Sequence, residues 1–145
     1  MKVLTVLVPT YNVEKYLRRC LDSLLLPEVL EEIEVLVVND GSKDGSADIA
    51  RAYEKKYPQT VVFVDKENGG HGSTINVGIE KAQGTYFKVL DSDDWVNIGD
   101  FIEFVKRLKE ETADAVICDY RKEHVYNGKS EYFEYKDLED GKKYN

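Results

Sequence analysis

Tyr86-Phe87-Lys88-Val89-Leu90-Asp91-Ser92-Asp93-Asp94-Trp95 reads as an apolar strand that stops abruptly in carboxylates. In extended backbone, residues two apart point to the same side. Asp91 and Asp93 could therefore reach one hard cation, with diphosphate oxygens as its other ligands. A strand that turns into a helix also often ends in Asp or Ser for capping reasons. What the other strands do at the same edge decides between the two readings.

Outward from this stretch, strand-like and helix-like segments alternate. Val3 to Val8 is a β-branched run stopped by Pro9. Val13 to Leu25 then places Tyr16, Leu17, Cys20, Leu21, Leu24 and Leu25 on one helical stripe. Ile33 to Val38 is almost wholly apolar, which suits a strand buried on both faces. Ser46 to Tyr57 follows as a helix, Val61 to Val64 as a third strand, and Ser73 to Gln83 as a helix closed by a left-handed Gly84. Phe101, Ile102, Val105 and Leu108 stripe the helix after the fourth strand, Tyr86 to Leu90, and Ala115 to Cys118 reads as a fifth strand. This alternation implies right-handed βαβ units and a mainly parallel α/β sheet flanked by helices. Toward the end, His124-Val125-Tyr126 and Glu131-Tyr132-Phe133 flank Asn127-Gly128, a hairpin signal. Lys136 to Asn145 is polar and charged, with no core-forming pattern.

In an open parallel sheet, ligands bind beyond the carboxyl ends of the strands. Here those ends are the polar positions: Thr10-Tyr11-Asn12, Asn39-Asp40-Gly41-Ser42, Asp65 to Gly70, and Asp91-Ser92-Asp93. One such end is turn chemistry, whereas four on one crevice make a binding site. Asp40 can accept from the N–H edge of a nucleobase, and Gly41 lets a ligand approach the backbone. Asp44 and Ser46 read as helix caps. Gly69, Gly70 and Gly72 precede a helix and could cradle phosphate, though their spacing matches neither a P-loop nor a dinucleotide fingerprint. Lys66 and His71 could meet phosphate or be solvated surface groups. Trp95 could floor a sugar pocket or pack under the next helix.

The composition sets limits. A length of 145 residues suits one domain, and 42% hydrophobic with 33% charged residues suits a soluble globular chain. The formal charge of -8 argues against a nucleic-acid surface, which would be basic. No apolar segment is long enough to span a membrane, and the run between Lys2 and Pro9 is too short for a secretory signal. Cys20 and Cys118 have no metal-ligand spacing and read as two buried free thiols in a reducing cytoplasm.

The chain resembles the family 2 glycosyltransferases of the GT-A fold, the Rossmann-like nucleotide-diphospho-sugar transferase architecture. The likeness runs from Val3 to about Val96 and rests on Val8-Pro9-Thr10-Tyr11-Asn12, Cys20-Leu21-Asp22-Ser23-Leu24, Val37 to Ser42 with Asp44-Gly45-Ser46, Asn68-Gly70, Asn76-Val77-Gly78, Ala82-Gln83-Gly84 and Leu90 to Asp94. The resemblance implies nucleotide contacts at Thr10, Tyr11, Asn12, Asp40, Lys66, Asn68, Gly70 and Ser92, and Mn²⁺ or Mg²⁺ held by Asp91 and Asp93. It implies metal-dependent, inverting transfer of a sugar from a nucleotide diphosphate sugar, a UDP-sugar being favoured, to a saccharide or lipid-linked acceptor. Polysaccharide assembly for the cell envelope is the family's usual setting, in the cytoplasm and at the inner face of the membrane.

Two departures qualify this. The family commonly has Arg where Ile75 stands, so either Lys66, His71 or Lys88 substitutes or donor binding is altered. Nothing after Val96 matches the family's acceptor half, so the expected division is a nucleotide-sugar-binding domain, 1–120, and a hairpin and polar tail, 121–145, opening a missing or truncated acceptor region. The catalytic base is unassigned, and a nucleotide-binding module incomplete for catalysis is the alternative. The haloacid-dehalogenase-like phosphatases also carry an Asp-x-Asp after a strand, but on an early strand and without Asp94-Trp95 behind it. The aromatic hairpin is either a homodimer surface or a cover for the sheet edge.

Overall fold

The computed structural model describes residues 1–143; the end of the expected polar tail, residues 144 and 145, lies outside them. The chain forms two compact units, one of Met1–Glu110 and one from Glu111 onward.

The first unit alternates strand and helix: β1 Leu4–Thr10, α1 Glu14–Leu24, β2 Ile33–Asp40, α2 Ser46–Lys56, β3 Val61–Lys66, α3 His71–Lys81, β4 Tyr86–Val89 and α4 Ile98–Leu108. Its sheet has the order β3-β2-β1-β4, and every pair is parallel. All residues of β1 and β2 are buried, as expected of central strands covered on both faces. Alternation divides their side chains between two layers. Leu4, Val6, Val8, Ile33, Val35 and Val37 pack with Leu17, Cys20, Leu21 and Leu24 of α1, with Ile49, Ala50 and Tyr53 of α2, and with Phe101, Val105 and Leu108 of α4. Leu7, Leu36 and Val38 form the smaller layer under α3, with Val64, Ile75, Val77 and Val89. Gly78 makes that approach possible, because a Cβ there would stand 2.7 Å from Leu7 Cδ2. Burying each leucine of the α1 stripe contributes about 1.5–3 kcal/mol.

Three expectations are corrected in or next to these elements. Gly84 is not among the left-handed glycines. It is needed because a Cβ would fall on the Thr5 backbone nitrogen, where the turn before β4 crosses β1. The helix expected from Ser73 starts at His71, with Gly70 at φ 86 turning the chain into it. Asp91 to Asp94 is a turn rather than continued strand: β4 ends at Val89, and the Asp94 N–H donates to the Asp91 carbonyl at 2.9 Å.

In the second unit, β5 Tyr120–His124 and β6 Lys129–Phe133 pair antiparallel, with Gly128 at φ 65 in the turn. The turn is longer than the Asn127-Gly128 pair alone: the Asn127 and Gly128 N–H groups both donate to the His124 carbonyl. Tyr120 therefore lies opposite Phe133 and stacks on it at 4.7 Å, while Tyr126 protrudes. The fifth strand expected at Ala115 to Cys118 does not form, and Cys118 is exposed rather than buried. An apolar run becomes a strand only beside a partner edge, and that segment pairs with no strand among the described residues.

Candidate functional site

The strand register levels the carboxyl ends of the sheet. Thr10 stands beside Asn39, Asn39 beside Asp65, and Asp40 beside Lys66. β4 is shorter, its Val89 opposite Leu7, so the Asp91–Asp94 turn folds in beside the end of β1.

Much of this edge is closed on itself. The Asp40 side chain is only 4% exposed and accepts from Lys66 Nζ at 2.6 Å and from the Gly69 and Gly70 N–H groups at 2.9 and 2.8 Å. Burial alone would raise its pKa, yet the ammonium and the two amides outweigh burial and hold the carboxyl below its ordinary value. A carboxylate offers about four acceptor positions, so one remains. Lys66 also donates to the Glu67 carbonyl at 2.6 Å and to Ser73 Oγ at 2.8 Å, which occupies its three N–H donors. Asn68 Nδ2 donates to the Asp40 carbonyl at 3.0 Å. Gly41, at φ 71, is required where a Cβ would press on the Asn68 nitrogen at 3.0 Å. The expected nucleotide residues Asp40, Lys66, Asn68 and Gly70 thus form one hydrogen-bonded knot.

A second interlock joins the starts of α1 and α2. Asn12, in the left-handed region at φ 51, accepts from the Lys43 N–H at 2.8 Å, and its own N–H donates to Ser42 Oγ at 3.0 Å. Asp44 accepts from the Glu14 N–H at 3.1 Å, Ser46 Oγ from the Val13 N–H at 2.9 Å, and Glu14 from the Gly45 N–H at 2.6 Å. Asp44 and Ser46 therefore satisfy amides at the start of α1 across the loop; Asp44 also accepts from the Ser46 N–H at 3.0 Å. Tyr11, between the interlock and β1, is 49% exposed, whereas Thr10 is buried.

The Asp91–Asp94 turn is different. Its backbone is held by one face of α1: Arg19 Nη2 lies 3.4 Å from the Asp93 carbonyl, Cys20 Sγ 3.8 Å from the Asp91 carbonyl, and Ser23 Oγ accepts from the Val96 N–H at 3.2 Å. The Arg19 guanidinium lies 3.7 Å from the centre of the Trp95 ring, so Trp95 is neither core nor an open platform. Ser92 is buried while Asp91 and Asp93 project outward, and among the described residues the Asp93 carboxylate has no hydrogen-bond partner. The Asp91 side chain is 57% exposed and lies 3.9 Å from His71 Nε2. Acid concentrates here: burial first, then the charges of Asp93 and Asp91, raise the Asp94 pKa. The Cys20 thiol is pushed up to about 12 by burial and by the same three carboxylates. Arg19, Cys20 and Ser23 went unread as a site because their spacing along the helix signals packing; only their position under the turn gives them this job.

Among the described residues no three His, Cys, Asp or Glu gather as a cation cage. The residues present nevertheless fit a hard divalent ion. Asp91 and Asp93 supply unengaged oxygen donors in a region of excess negative charge, and such ions commonly take one or two carboxylates and complete their shell with phosphate oxygens and water. Of the three side chains that could replace the absent Arg, Lys66 is engaged by Asp40, and Lys88, exposed on β4, makes no ion pair with Asp91 among the described residues. His71 is the one facing the turn. Ile75 packs in the α3 layer.

Known proteins share this architecture. The glycosyltransferase GlyA of Streptococcus pneumoniae serotype 4 is 38% identical over 118 residues, 81% of this chain and 16% of GlyA. S. aureus TarS 1-349, solved in complex with UDP-GlcNAc, superposes with a TM-score of 0.64 at 34% identity, covering 76% of this chain and 32% of TarS 1-349. The mannosyltransferase PcManGT from Pyrobaculum calidifontis, solved with GDP-Man and Mn²⁺, gives 0.63 at 27% identity, covering 71% of this chain and 31% of its own. The chain spans 36%, 16% and 35% of the length of three curated relatives that it matches. The fold is thus the GT-A fold of glycosyltransferases. The model described as glycosyl transferase family 2 matches residues 5–137, taking in all of the β/α alternation, and the chain belongs to that family.

Proposed function

We propose that this chain is the donor-binding part of a glycosyltransferase that takes a sugar from a nucleotide diphosphate sugar, most simply a UDP-sugar. The observation that carries the reading is the Asp91–Asp94 turn, where Asp91 and Asp93 stay open while the neighbouring carboxylate Asp40 is enclosed. Asp91 and Asp93 would hold Mn²⁺ or Mg²⁺, which would supply Lewis-acid stabilisation to the departing diphosphate. Tyr11 offers a ring face to the base, with Thr10 and Asn12 beside it, and Asp40 keeps one acceptor position toward the base N–H edge. The knot of Asp40, Lys66, Asn68 and Gly70 holds the glycine loop at the nucleotide, and buried Ser92 keeps the acidic turn in shape. Inversion at the anomeric carbon requires a carboxylate base on the acceptor hydroxyl, and that base is assigned to no residue here. The acceptor is a saccharide or a lipid-linked glycan. The setting is cell-envelope polysaccharide assembly, cytoplasmic or peripheral at the inner face of the membrane. Among the described residues no helix is long and apolar enough to cross a membrane.

Calorimetric titration with UDP, GDP, CDP and ADP, each in Mn²⁺ and in chelator, tests this. Metal-dependent UDP binding supports it, and no binding by any of the four overturns it. The Asp93→Asn variant should lose the metal-dependent part of the affinity.

A second reading keeps nucleotide binding without transfer, as a module incomplete by itself. It is favoured by the acidic turn having no neighbouring group assigned as the base. Donor hydrolysis measured alongside UDP binding separates the two. Association through the exposed Tyr126 and Tyr132 would make a homodimer, and a monomer mass by light scattering would exclude it.

A further inference from the structure

Diphosphate brings negative charge to an edge that already carries Asp91, Asp93 and Asp94, so a side chain that donates to it would add to what a cation supplies there. Three cationic groups near this edge are committed elsewhere, whereas Lys43, beside the Asn12–Ser42 interlock, has no side-chain partner among the described residues, in the acidic turn or elsewhere. Lys66 has Asp40, the Glu67 carbonyl and Ser73. Arg19 lies on Trp95 and the Asp93 carbonyl, and Arg51 reaches Asp65 at 2.9 Å.

His71 is placed differently. Its side chain is 60% exposed, and Nε2 lies 3.9 Å from Asp91 Oδ1, beyond the roughly 3.2 Å limit of a good hydrogen bond. Among the described residues neither ring nitrogen has any other partner. The backbone on either side of it is uncrowded, since a Cβ added at Gly70 or Gly72 would meet nothing within 4 Å. A phosphate oxygen that shared a cation with Asp91 would lie on the side of Asp91 that this ring faces. In either tautomer the imidazole keeps one N–H to donate.

The geometry points to His71 as the side chain that contacts the donor diphosphate and orients it against Asp91. This rests on the donor-site reading above and adds to it the residue that recognises the phosphates. His71→Ala and His71→Gln should fold normally, because the ring is exposed and buries little. The test compares the affinities of UDP and of uridine, in Mn²⁺, for the wild-type chain and both variants by NMR titration. His71→Ala should weaken UDP about ten-fold, the size of a charge-assisted hydrogen bond, and leave uridine unchanged. His71→Gln, which keeps an N–H donor, should recover part of the loss. Equal UDP affinity in wild type and His71→Ala overturns the inference. A parallel fall in uridine affinity also overturns it, since a structural role would act on both, and Gln no better than Ala removes the donor role. Failure of the wild type to bind UDP overturns the donor-site reading itself, so the two failures are distinguishable.

Discussion

The two ends of the sheet use carboxylates in opposite ways. At the amino ends of the strands, buried Glu34 accepts from Thr5 Oγ1 at 2.7 Å and from the Gln83 N–H at 3.0 Å, and Thr5 in turn accepts from the Gly84 N–H at 2.9 Å. That network pins the α3–β4 connection to β1. At the carboxyl ends Asp40 is just as enclosed, yet the Asp91–Asp94 turn projects Asp91 and Asp93 without hydrogen-bond partners among the described residues. A buried carboxylate must have partners because an unpaired one is costly to desolvate. An exposed carboxylate keeps its water and can exchange it for a cation. In the proposed function the cation accordingly goes to the exposed pair, and enclosed Asp40 keeps only its one remaining acceptor position.

Substitutions separate the two kinds of carboxylate. The largest loss of stability should come from Asp40→Ala, about 3 kcal/mol by urea unfolding, since it strands Lys66 and two loop amides. A smaller loss would mean that the knot is dispensable. Glu34→Ala should cost about 2 kcal/mol, with UDP affinity unchanged. Loss of UDP binding in that variant would tie the amino edge to the site. Acid should sharpen the comparison further. The Asp40 carboxyl is held below its unfolded value of 3.8, so its stabilisation is present above that pH and is lost as pH falls through the lower folded value. The stability gap between wild type and Asp40→Asn should accordingly narrow below about pH 4, and a gap independent of pH would refute the charge pairing. The smallest stability change belongs to Asp93→Asn, within about 0.5 kcal/mol of wild type, although its metal-dependent nucleotide affinity should vanish. A large stability loss there would place Asp93 on the structural side.

The alternation of strands and helices was legible in the chain because apolar periodicity is local. Val3 to Val8, Ile33 to Val38 and the α1 stripe each carry their period within a few residues; both strands and the helix form, although β1 runs on through Pro9 to Thr10 and Tyr16 of the expected stripe is exposed. The polar strand ends were legible for the same reason. Ala115 to Cys118 was misread because a strand needs a neighbouring edge, which no local pattern reports. Gly84 was misread because its constraint comes from β1, far away in sequence. Arg19, Cys20 and Ser23 were invisible as supports of the acidic turn, since that turn lies about seventy residues further along.

Residue order was enough to specify the β/α units, the parallel sheet, the family, and the edge on which the polar residues gather. Which of those residues remain available was decided only in three dimensions. Asp40 and Lys66 look as free as Asp91 in the sequence, but parallel register sets β2 and β3 side by side and they close on each other. Asp91 and Asp93 stay open because β4 stops at Val89 and the turn that follows offers its backbone carbonyls, not its carboxylates, to α1. A hydrogen bond satisfies a group only where its partner is brought, and strand register and turn geometry bring partners together across the chain.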